Sequence, residues 1–141
     1  MPQSYAKVLI HIVFSTKHRT PYLTNRELRT KTHAILGTIA KRLGCNPIQI
    51  GGPTDQVHLL TTLSRTLSIA DLVKELKRLS TNWIRNREPT LQVFRWQTGY
   101  GVFSVNLSNA ARLIKYIQNQ ESHHKSDHDQ NVKSNEHNLR D

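Results

Sequence analysis

Two short stretches of this 141-residue chain hold side chains that could do chemistry together. In "GGPTDQVHLL", Gln56 and His58 stand two apart around Val57. On a strand that spacing puts Gln56 and His58 side by side on one face and turns Val57 to the other. Two histidines so arranged would make a divalent-metal site. This chain offers one histidine and one glutamine, whose amide oxygen binds more weakly and prefers hard ions. In "YIQNQ", Tyr116 and Gln120 stand four apart and share one face of a helix.

Each residue alone has a plainer reading. A tyrosine on an amphipathic helix is usually a half-buried packing residue, and a lone strand histidine is usually structural. Together, and set in a very basic body, they are the parts of a phosphoryl-transfer site. A phenol with a pKa near 10 is a poor nucleophile at neutral pH. Against a phosphodiester it needs a metal to neutralise the non-bridging oxygens and to orient the leaving group.

The elements that must position these residues can be traced along the chain. Ser4–Thr16 is β-branched and aromatic and reads as a strand. Asn25–Gly44 carries a helical stripe ending at a C-cap glycine. "NPIQIGG" and "QVHLLTTLS" read as a hairpin around a Gly-Gly-Pro-Thr-Asp turn. A second helix follows Ser68 as N-cap, with Ile69, Leu72, Val73, Leu76, Leu79 and Trp83 as its apolar face. "VFRWQTGYGVFSVN" is strand-like with a glycine interruption, and a third helix opens at Ser108 or Asn109. On that helix Ala110, Leu113, Ile114 and Ile117 form the packing side, with Tyr116 at its edge.

The order β-α-β-β-α-β-α predicts an α+β fold: a ferredoxin-like or RRM-like sandwich, an antiparallel sheet with helices on one face and a C-terminal helix bearing the tyrosine. Residues 1–125 are expected to form one domain, and 126–141 a disordered polar tail of Asp, His, Asn, Ser and Lys. There is no internal repeat.

Charge points to the partner. Of 20 Lys and Arg and 10 Asp and Glu, residues 1–120 hold 17 and 5, a net of +12. A body so basic attracts polyanions, nucleic acid above all, with strongly salt-dependent binding. No run of eighteen apolar residues is present and the N-terminus lacks a signal-peptide pattern, so a cytoplasmic protein without membrane contact is expected. The single cysteine, Cys45, fits a reducing compartment and a buried role.

Four fragments in order, "HIVFSTKHR", "GGPTDQVHLL", "FRWQTGYGVFSV" and "YIQNQESHH", resemble the HUH single-tyrosine transposases of the smallest insertion sequences, the IS200-like group. The resemblance runs from about Tyr5 to His124. It implies that Tyr116 is the nucleophile on single-stranded DNA, forming a 5′-phosphotyrosine and freeing a 3′-hydroxyl. It implies one divalent cation, Mg²⁺ or Mn²⁺, held by His58, Gln56 and Gln120, with no nucleotide cofactor. It also implies a homodimer that recognises hairpin DNA at the element ends. The departure is Gln56, which stands where the first histidine of the motif normally stands. The alternative is therefore a relative that binds hairpin or single-stranded DNA without cleaving it.

Lys17 and Arg19 are candidate phosphate contacts, with a solvated strand end as the other reading. His11 is left between site and core. Trp83 and Trp96 are expected to pack, and the tail histidines His123, His124, His128 and His137 fit no standard zinc spacing. An RNA-recognition motif would show an aromatic RNP signature on a central strand, and none is present.

Overall fold

A computed structural model describes residues 7–120. Strand β1 is Leu9–Ser15, helix α1 Arg26–Arg42, strands β2 and β3 Pro47–Gly51 and Gln56–Thr62, helix α2 Ile69–Arg87, strand β4 Gly101–Val105 and helix α3 Leu107–Gln118. The four strands form one sheet in the order β2-β3-β1-β4, and each neighbouring pair is antiparallel. This is the ferredoxin-like arrangement expected from the element order.

The period of two divides each strand between two cores. Ile10, Ile12, Phe14, Val57 and Leu59 face α1 and α2 in the main core. Leu9 and Leu60 face the other way and pack with Ile117 of α3 in a second, small cluster. The helix carrying Tyr116 thus lies across the face opposite α1 and α2.

The helix ends show local chemistry at work. Asn25 caps α1 by accepting from the Leu28 amide, and Ser68 caps α2 by accepting from the Asp71 amide. The cap of α3 is Asn106, ahead of the expected Ser108 or Asn109, and its side chain makes no capping hydrogen bond. The strand expected within residues 93–106 is shorter than its composition suggests. Phe94 and Trp96 leave the ladder for the core, Trp96 contacting Phe14 and Phe94 edge-on and donating from Nε1 to Ser80 Oγ at 3.0 Å. Only an isolated bridge between Thr16 and Trp96 precedes β4. Trp83 is partly buried against the same core, and Cys45 is buried, both as expected.

The Gly-Gly turn between β2 and β3 has two physical reasons. A Cβ on Gly52, whose φ is +153°, would lie 2.1 Å from the Gln56 carbonyl oxygen. A Cβ on Gly51 would lie 2.7 Å from the Ile117 carbonyl oxygen, so the absent side chain is what lets α3 settle on the sheet. The start of the expected first strand, Ser4–Ala6, lies outside the described residues. So do the end of the expected domain, the polar tail 126–141 and the four tail histidines.

Candidate functional site

Strand β3 sets Gln56 and His58 on the α3 face, and both are buried. Oε1 of Gln56 and Nε2 of His58 lie 3.0 Å apart. On the other side of the imidazole, Nδ1 lies 3.0 Å from Nε2 of His11 on β1. The ring centroids of the two histidines are 5.2 Å apart with planes at 26°. That separation is what two nearly coplanar rings have when they meet nitrogen to nitrogen, so the contact is an in-plane hydrogen bond. Both imidazoles are neutral at physiological pH. Burial lowers His11 to about 4. Burial lowers His58 to about 3, helped by repulsion from His11 once that ring is protonated and from the Arg19 guanidinium.

Helix α3 brings Tyr116 edge-on to His58, ring centroids 5.8 Å apart. The tyrosine is half-buried, at 37% exposure, so it reaches both the histidine and solvent. Burial raises its phenol above the ordinary range, and the Gln120 amide beside it acts in the opposite direction. The phenol is therefore protonated at neutral pH. Gln120 is itself buried, and its Nε2 has no hydrogen-bond partner. Tyr116, His58, Gln56 and Gln120, singled out on two distant stretches, converge on one side of the sheet.

Among the described residues, no three His, Cys, Asp or Glu side chains converge to hold a metal ion. A cation here would depend on one imidazole and two amides, a neutral set suited at best to a hard ion held weakly. Two observations fit such an ion. The Gln56 oxygen and His58 nitrogen already converge. The orphaned amide of Gln120 would gain a partner by presenting its oxygen.

Lys17 and Arg19 lie on a short 3₁₀ turn, Lys17–Arg19, in which His18 and Arg19 take positive φ. Arg19 is anchored there by an ion pair with Asp55, Nε to Oδ2 at 3.0 Å and the second nitrogen to Oδ1 at 3.4 Å. The turn holds Arg19 close enough to bear electrostatically on His58. Lys17 is partly exposed at the same end of the sheet.

Two features escaped the sequence reading. One is the role of His11, 47 residues from its partner, which only the β1–β3 register reveals. The other is a basic cleft of about 500 Å³ between α2 and residues 95–100, lined by Lys74, Lys77, Arg78, Arg85 and Arg95 among others. The Arg78 charge is met by Glu75, whereas among the described residues Lys77 and Arg85 donate to backbone carbonyls, which carry no compensating charge.

Fold and site together define a small α+β domain that sets a helical tyrosine against a strand histidine. The family described as "Transposase IS200 like" matches residues 4–120, and the chain belongs to it. It is 29% identical over 115 residues to the ISDra2 transposase TnpA of Deinococcus radiodurans, covering 78% of this chain and 81% of that one. Its structure is similar to that of a candidate transposase from Deinococcus radiodurans R1, with a TM-score of 0.69 and 28% identity over 86% of this chain and 97% of that one. It also shares its fold with a REP-associated tyrosine transposase solved bound to a REP hairpin. There the TM-score is 0.60 and identity 13%, covering 84% of this chain and 70% of the other. No described helix is long and apolar enough to cross a membrane.

Proposed function

We propose that this transposase cleaves and rejoins single-stranded DNA at the ends of its own element through a phosphotyrosine on Tyr116. The observation that carries the reading is the edge-on approach of Tyr116 to His58, with Gln56 and Gln120 alongside. The phenol oxygen forms a bond to phosphorus, and the bond from phosphorus to the 3′-oxygen breaks. The phenol gives up its proton and the departing oxygen gains one. Because the phosphoester is conserved in the protein adduct, a 3′-hydroxyl can reverse the step without ATP.

His58, Gln56 and Gln120 would hold one Mg²⁺ or Mn²⁺, which when bound neutralises charge on the phosphate oxygens. Gln56 keeps the His58 imidazole oriented, Lys17 places positive charge where the phosphate approaches, and Arg19 is held at the same end of the sheet by its ion pair with Asp55. A homodimer working on hairpin DNA in the cytoplasm fits the family. The outer edge of β4 and the exposed Leu107 offer surface for a second copy. A second reading, DNA binding without cleavage, rests on the hydrogen bonds that already engage both nitrogens of His58.

Covalent capture separates the two. The full chain is incubated with labelled single strands spanning its element's ends, in Mg²⁺, Mn²⁺ or EDTA, and resolved on a denaturing gel. A metal-dependent adduct that Tyr116→Phe abolishes supports cleavage. Bound DNA with no adduct in any metal leaves the binding-only reading.

A further inference from the structure

Beside Gln56 the sheet face opens into a pocket of about 200 Å³ whose lining includes Ser15, Gln56, Gln97, Tyr100, Gly101 and Phe103. It is smaller than the roughly 300–1,000 Å³ of a drug-sized site. Its lining carries two half-exposed aromatic rings, Tyr100 at 45% and Phe103 at 44% exposure, the latter tilted against His11 with ring centroids 5.9 Å apart. Neither ring is required by the main core.

The wall between the rings is fixed at several points. The Gln97 amide donates to the Ser15 carbonyl at 2.8 Å. Lys77 Nζ donates to the Gln97 and Gly99 carbonyls at 2.7 and 2.6 Å. The Gln97 side-chain oxygen accepts from the His18 amide at 3.1 Å, which orients its nitrogen as a donor. At Gly99, where φ is +94°, no atom lies within 4 Å of the position a Cβ would take, so the mouth stays open. Aromatic rims on a rigid wall with amide and hydroxyl groups inside match the faces and edges of a nucleobase. The Lys77 ammonium, 6.0 Å from the Tyr100 ring centroid, and the neighbouring basic cleft supply the charge that the attached phosphates need.

The geometry points to a nucleobase pocket: one unstacked base of the single strand lodges between Tyr100 and Phe103, next to the phosphate that Gln56 and His58 face. This rests on the single-strand reading above and adds to it a direct protein contact to a base at the cleavage site.

The test is equilibrium binding of the full chain, in EDTA, to single strands from its element's ends with an abasic residue placed at each position in turn. Tyr100→Ala and Phe103→Leu are compared with the native chain, and Tyr100→Phe retains the ring. For intact DNA the two truncations should weaken binding by about fivefold or more. The slope of affinity against salt should be unchanged, because no phosphate contact is removed. One abasic position should erase the difference between native and variant chains, and Tyr100→Phe should bind as the native chain does. Equal losses at every abasic position, or no loss, overturn the pocket while leaving single-strand binding intact. Failure of the native chain to bind any strand overturns the DNA reading, and the pocket with it.

Discussion

His11 and His58 touch through Nε2 and Nδ1 at 3.0 Å although the ladder does not pair them. His58 stands opposite Val13, and His11 opposite Leu60. The two rings meet diagonally on the shared face, and the contact leaves Nε2 of His58 pointing at Gln56. An outer partner of this kind fixes ring orientation.

Truncating His11→Ala should leave a buried imidazole nitrogen without its partner, at a cost of about 1–3 kcal/mol. Urea unfolding measures that cost, and the adduct gel should show a parallel loss of cleavage. His11→Gln, whose amide can reach the same atom, should recover part of both. Equal behaviour of the two variants would show that the contact is incidental.

Neutral buried histidines make the metal-free fold sensitive to acid. His58 is held to about 3 against an ordinary value near 6.5, and His11 to about 4. Below pH 6.5 the unfolded chain takes up protons that the folded chain refuses, so stability falls as pH falls. At pH 5 the loss from His58 alone is on the order of 2 kcal/mol. Thermal unfolding in EDTA at pH 7 and pH 5 should show it, and His58→Gln should be the less acid-sensitive protein.

Much of this was legible in the sequence, for reasons that differ by residue. Ser68 announced α2 because capping is a contact with a near neighbour in the chain. The pairing of Gln56 with His58 followed from the two-residue period of a strand. The His11 contact did not, because register between strands is decided by the whole sheet. Phe94 and Trp96 looked like strand residues by type, yet the core took their rings and the ladder lost them. Asn106 begins α3 without a capping bond, so the more suggestive Ser108 and Asn109 drew the boundary two or three residues late.

Gln56→His tests the neutral donor set. Replacing an amide oxygen by an imidazole nitrogen should tighten Mn²⁺ binding on the order of tenfold, about 1.4 kcal/mol. Calorimetric titration of native and variant chains measures this directly. If the variant binds Mn²⁺ no better, the ion is not held at the Gln56–His58 pair.

Gly51→Ala probes the seat of α3. The added carbon meets the Ile117 backbone at 2.7 Å, an atom that no rotamer change can move. The helix must shift, at a cost of about 1–3 kcal/mol. Adduct yield should drop sharply while the protection of β1 and β3 amides from hydrogen exchange is retained. Unchanged adduct yield would mean that the tyrosine does not depend on this close approach.

Ile117 is the one side chain of α3 that is fully buried; it joins Leu9 and Leu60, and Ala110, Leu113 and Ile114 pack beside it partly buried. The strands bearing His11 and His58 are clamped by the large core beneath them. A helix held by one buried and three partly buried side chains opens at lower free energy than the whole domain unfolds. The two halves of the proposed reaction centre therefore have different lifetimes. The histidines persist as long as the fold does, while the tyrosine can lift away, with whatever it has bonded to, and return to a sheet that has not changed.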